Sequence, residues 1–116
     1  MRKFVNFRIL LYNIIVINNM TTVDLAKKIT KTLVVGNVQF AALFGSRAKG
    51  TARRDSDYDF LIRFAPSYRY TVFDLLDLRD KLCRNLKKPV DVITVGGLNQ
   101  KMKSEVYKTM KVVYEN

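Results

Sequence analysis

Val38-Gln39-Phe40-Ala41-Ala42-Leu43-Phe44-Gly45-Ser46 and, ten residues further on, Asp57-Tyr58-Asp59-Phe60-Leu61-Ile62-Arg63-Phe64 decide how this chain folds. Val38 to Phe44 is a nearly unbroken apolar run of strand length, the pattern of a strand buried on both faces. It stops abruptly at Gly45-Ser46. Glycine lets a ligand approach the backbone without a Cβ in the way, serine adds a hydroxyl, and one turn of helix over Ser46–Lys49 would aim free N–H groups at an anion. Gly50 ends that turn. Arg47, Lys49, Arg53 and Arg54 make the following loop cationic, which suits a triphosphate.

The second run, Asp57 to Phe64, reads as a strand by its aromatic and β-branched content. Side chains alternate faces along a strand, so Asp57 and Asp59 point the same way with Cα atoms about 6.6–7 Å apart. Both can reach one cation, and the pair repels itself unless a cation neutralises it. Mg²⁺ fits such a pair, because it takes one or two carboxylates and completes its shell with water and substrate phosphate oxygens. The chain has no histidine and a single cysteine, Cys83, which excludes zinc chemistry and a Ser-His-Asp triad. A third carboxylate, Asp91, lies in Pro89-Val90-Asp91-Val92-Ile93-Thr94-Val95, another β-branched run. If that strand lies beside the Asp59 strand, three carboxylates can hold two ions about 3.5–4 Å apart, and Asp91 can take the proton of an attacking hydroxyl.

With both halves in view, Gly45-Ser46-Arg47-Ala48-Lys49-Gly50 and Asp55-Ser56-Asp57-Tyr58-Asp59-Phe60-Leu61-Ile62 resemble the signature of the polymerase-beta-type nucleotidyltransferases. The resemblance is strongest to the small minimal nucleotidyltransferases that serve as antitoxins to HEPN-domain toxins, and it covers Thr22 to Glu115. It implies that Gly45 and Ser46, with Arg47 beside them, bind the triphosphate, and that Asp57, Asp59 and Asp91 hold Mg²⁺, two ions in all, and carry catalysis. It implies a mixed sheet covered by helices. Tyr58 departs from the pattern, which has an aliphatic residue between the aspartates.

The remaining sequence reads as scaffold for an α/β domain. Thr21-Thr22-Val23-Asp24 opens a helix with Leu25, Ile29 and Leu33 on one face, and Gly36-Asn37 closes it. A second helix over Thr71–Lys87 puts Val72, Leu75, Leu76, Leu82 and Leu86 near one stripe, leaving Asp74, Asp77, Asp80 and Lys81 outside. Leu98, Met102, Val106 and Met110 mark a third, followed by a short strand over Lys111–Tyr114. Tyr68 and Tyr70 could stack on an adenine, although turn packing is the commoner role.

At 116 residues the chain supports one domain, so an acceptor must be met at an open surface. The domain is expected over residues 20–116, Met20 standing directly before a helix cap, with residues 1–19 an apolar extension too short to span a membrane. Cys83 has no disulfide partner, which points to a reducing cytoplasm. The net charge of +11 is spread over Lys27, Lys28, Lys31, Lys87, Lys88, Lys101, Lys103, Lys108 and Lys111 as well as the loop. It is compatible with a solvated face, an acidic protein partner or, less favoured, nucleic acid. The expected activity is Mg²⁺-dependent transfer of AMP from ATP to a hydroxyl of a partner protein, by the resemblance a tyrosine of a HEPN toxin. Two alternatives stand beside it: an antitoxin that acts by contact alone, and a small-molecule nucleotidyltransferase whose pocket a homodimer would build.

Overall fold

The computed structural model describes residues 16–17 and 20–116. The expected extension over residues 1–19 lies outside them, save for β1 (Val16–Ile17), which pairs antiparallel with β2 (Met20–Thr21). Then follow α1 (Thr22–Val35), β3 (Val38–Phe44), α2 (Ser46–Lys49), β4 (Tyr58–Phe64), α3 (Val72–Leu86), β5 (Val90–Thr94), a 3₁₀ turn (Val95–Gly97), α4 (Gln100–Thr109) and β6 (Lys111–Glu115).

Four strands form one mixed sheet in the order β5-β4-β3-β6. β3 runs antiparallel to β4 and β6, whereas β4 and β5 are parallel and need the α3 crossover to connect them. Alternation along β4 divides the interior in two. Tyr58, Phe60, Ile62 and Phe64 meet Leu25, Ile29 and Leu33 of α1 and Leu78, Leu82 and Leu86 of α3. Leu61, on the other face, packs with Phe40, Ala42, Phe44, Leu98 and Val106 beside α4. A register shift between Val38 and Phe40 explains why β3 sends Val38 and Ala41 to one core yet Phe40 and Ala42 to the other.

The helix starts behave as their residues require. Thr21 Oγ1 accepts from the Asp24 N–H at 3.1 Å while Asp24 Oδ2 accepts from the Thr21 N–H at 3.3 Å, a reciprocal capping box. Thr71 and Asp74 repeat it on α3, and Asn99 Oδ1 caps α4 by accepting from the Met102 N–H at 2.9 Å.

The expected α3 stripe needs correction. Val72 and Leu76 are 60% and 42% exposed, and the buried series is Leu78, Leu82 and Leu86, with Leu75 half-buried. Residues 75, 78, 82 and 86 keep the three-and-four spacing, Leu76 lies off that line, and Val72, the first residue of the helix, stands beyond the packed part of it. Tyr70 stacks on Phe64 with ring centroids 4.3 Å apart, and the Tyr68 hydroxyl donates to Asp74 Oδ1 at 2.8 Å. Phe64 is five residues along β4 from Asp59, about 16 Å at strand rise, so these tyrosines pack the far end of the sheet.

Candidate active site

Gly45 leaves β3 with φ 75° and ψ −155°, a region open in practice only to glycine. A Cβ there would collide with the Asp59 carboxylate, so the turn and the carboxylate are in van der Waals contact. The Gly45 carbonyl accepts from the N–H groups of Ala48 and Lys49, both at 3.1 Å, which winds the short helix α2. The N–H groups of Ser46 and Arg47 stand in its first turn, where a helix offers no internal acceptor.

β4 carries the carboxylates to this turn. Asp59 opposes Phe44 on one side and Asp91 on the other, the latter in parallel register with the strands about 4.8 Å apart. Asp59 and Asp91 therefore project from the same face, the one α4 covers further along. Asp57 was expected inside the strand; it stands one residue before it. The first paired amide is that of Tyr58, which donates to the Pro89 carbonyl at 3.0 Å. Pro89, directly before β5, has no N–H to extend the ladder, and the Ser56 carbonyl accepts from Arg47 instead.

The charges confirm that the carboxylates feel one another. Burial pushes the Asp59 carboxyl up to about 6, Asp91 and Asp57 add to the rise, and Arg47 opposes it. Among the described residues no three carboxylate, cysteine or histidine side chains already close around a single point. The donor set nonetheless fits a hard cation: it is all oxygen, half-buried at Asp59, and short of compensating positive charge.

The Arg47 side chain is held within the loop. It is 1% exposed, and its guanidinium turns into the loop instead of facing the cleft. Nε donates to the Ser56 carbonyl at 3.0 Å, Nη2 to the carbonyls of Ser56 at 2.6 Å and Arg54 at 3.2 Å, and the group lies 4.0 Å from the Tyr58 ring centroid. Tyr58, the departure from the aliphatic pattern, is thus the floor under Arg47. Lys49 is also occupied, its Nζ 2.8 Å from Glu105 Oε1, and this contact holds the Glu105 carboxyl below its usual range. Beneath that ion pair is a cleft of about 180 Å³ lined by Phe44, Gly45, Met102, Val106 and Thr109. Glu105 carries no signal in the sequence and Met102 reads there only as a helix-face residue, because only the docking of α4 brings them to Gly45.

Known proteins share this fold. The family model described as "Polymerase beta, Nucleotidyltransferase" matches residues 27–116. A Methanocaldococcus jannaschii relative named "Putative protein adenylyltransferase" is 30% identical over 83 residues, 72% of this chain and 87% of its own. A crystal structure of a toxin-antitoxin with AMP-PNP superposes with a TM-score of 0.67 at 25% identity, covering 78% of this chain and 73% of the other. A minimal nucleotidyltransferase structure gives 0.63 at 27% identity, covering 73% and 85%. A Shewanella oneidensis complex of a tri-AMPylated HEPN toxin with an MNT antitoxin shares the fold, with a TM-score of 0.61 at 20% identity over 79% and 71%. The family match takes in every strand of the four-stranded sheet together with the Gly45 turn, and on it this chain belongs to the polymerase-beta-type nucleotidyltransferases.

Proposed function

We propose that this protein transfers AMP from ATP, with Mg²⁺, to a tyrosine hydroxyl of a HEPN-type partner, and acts as the antitoxin of that pair in the cytoplasm. The observation that carries the reading is the alignment of Asp59 with Asp91 directly beside the Gly45 turn. The adenylyltransferase name of the 30% relative and the AMP-PNP held by the 25% structural neighbour support the choice of nucleotide and reaction. No helix of the described residues is long and apolar enough to cross a membrane.

Asp57, Asp59 and Asp91 would hold the metal, which supplies charge neutralisation at the phosphates and at the oxygen that departs. Gly45 admits the phosphates close to the backbone, and Ser46 offers them its hydroxyl and N–H. The acceptor hydroxyl attacks the α-phosphorus in line. A new O–P bond forms, the bond from the α-phosphorus to the bridging oxygen breaks, and pyrophosphate leaves with that oxygen. Asp91, exposed on an edge strand, receives the hydroxyl proton.

Mass spectrometry of a HEPN-type partner co-expressed with the chain tests this. Wild type adds one or more AMP units to a tyrosine, whereas Asp91→Asn retains ATP binding and adds almost none, because an interaction made in the transition state governs turnover more than affinity. A partner that remains unmodified yet is silenced in cells would replace this reading with inhibition by contact.

A further inference from the structure

Arg47 is the largest of the fully buried side chains and follows directly on Ser46. A buried guanidinium is costly unless its donors and its charge are met. Here carbonyl oxygens of Ser56 and Arg54 and the face of Tyr58 meet them, and Nη1 stays buried without a partner. Ser56 and Tyr58 are the two neighbours of Asp57. In the loop between α2 and β4 the Ser56 N–H donates to the Arg53 carbonyl at 3.1 Å, and Ser56 Oγ accepts from the Arg53 N–H at 2.8 Å. Arg47 thus grips the chain on both sides of Asp57 from the first turn of the phosphate-facing helix.

We propose that Arg47 is a positioning residue, which through the Ser56 carbonyl and the Tyr58 ring sets Asp57 as a ligand for the divalent cation, and is not itself a phosphate ligand. The proposal rests on the preceding reading that Asp57 and Asp59 hold the metal. It gives Tyr58 a reason to be aromatic: an aliphatic residue would bury the same strand face but offer the cation no negative ring face. Lysine cannot replace Arg47, because its point charge lacks the planar fork that takes two carbonyls while lying flat on a ring.

The test uses the full chain with a non-hydrolysable ATP analogue and Mn²⁺ as the metal probe, free Mn²⁺ being counted by its electron paramagnetic resonance signal. Arg47→Lys and Tyr58→Leu should each weaken Mn²⁺ binding roughly tenfold or more, the range for losing a group that orients a metal ligand. Turnover should fall in parallel and recover as metal is raised, while the KM for ATP stays within about threefold, because Gly45 and Ser46 are untouched. Tyr58→Phe keeps the ring and should retain the Mn²⁺ affinity. If Arg47→Lys does not fold, Tyr58→Leu still decides, since it leaves the carbonyl bonds in place. A raised KM for ATP with unchanged Mn²⁺ affinity would make Arg47 a phosphate ligand and overturn the proposal, as would wild-type Mn²⁺ affinity in both variants or no Mn²⁺ binding by wild type. Wild type that binds Mn²⁺ without transferring AMP would sink the functional reading alone, and the titration would still judge Arg47.

Discussion

Gly45→Ala and Gly50→Ala form a matched pair that separates backbone strain from damage to the site. Both glycines have positive φ, 75° and 79°. At Gly50 the conformation is left-handed helical, with ψ 15° and nothing within 4 Å of a new Cβ, so alanine costs about 1–2 kcal/mol of strain and nothing else. At Gly45 the backbone lies in a region that costs a side chain on the order of 1–3 kcal/mol, and the new methyl also strikes the Asp59 carboxylate. Asp59 is on an interior strand between Phe44 and Asp91, so its backbone cannot yield and its carboxylate must swing aside.

At this chain length each kcal/mol moves the melting temperature by roughly 3–6 °C. Both variants should therefore melt several degrees below wild type, and calorimetry alone will barely distinguish them. Adenylyl transfer should distinguish them sharply. A displacement of about 1 Å at the reacting centre costs on the order of 10²-fold in rate, so Gly45→Ala should lose about that much while Gly50→Ala stays within about twofold of wild type, far from the carboxylates. Equal losses in the two variants, measured below both melting transitions, would show that folding and not the contact with Asp59 limits activity. Wild-type turnover in Gly45→Ala would refute the packed turn itself.

Two further outcomes follow from the same geometry. The Asp59 carboxyl is raised to about 6, so the metal-free protein holds more protons than its unfolded chain between about pH 4 and pH 6 and must lose stability as pH rises through that window. Asp59→Asn should flatten the loss in a denaturant series, and an unchanged pH profile would remove Asp59 as its source. Ser46→Ala should weaken ATP binding more than Lys101→Ala, since Ser46 adjoins the Gly45 turn and Lys101 is an exposed charge on α4; equal effects in a titration would mean that bulk charge alone draws the nucleotide.

How much of this was legible in the sequence depended on whether a feature is local. The apolar run before Gly45, the helix starts near Thr21 and Thr71, and the placing of Asp57 and Asp59 near the turn need only neighbours in the chain. The pairing of Asp59 with Asp91 could be stated only as a condition, because sheet order is set by the α3 crossover and not by either strand. The direction of Arg47 was not legible at all. A basic residue in a glycine-flanked turn reads as solvent-facing, and what turned it inward was the ring of Tyr58 and carbonyls that a loop conformation, not a periodicity, brings together. The α3 stripe failed for a simpler reason: leucines at 75, 76, 78, 82 and 86 surround more than one face, and only contact with the sheet selects among them.

The two aligned aspartates occupy unequal positions, and on the proposed reading the inequality suits a macromolecular acceptor. Asp59 sits on an interior strand, pressed by Gly45 and by its neighbours' charge, where a bound cation relieves most. Asp91 sits on the edge strand β5 and is exposed, and among the described residues no further strand pairs beyond it. On the proposed reading the metal is drawn toward the inner carboxylate while the outer one meets the acceptor. A tyrosine on a protein surface can reach that edge without entering a cavity. The cleft of about 180 Å³ beside the turn lies on the α4 side of Gly45. On the proposed reading the partner itself completes the enclosure that excludes water during the reaction.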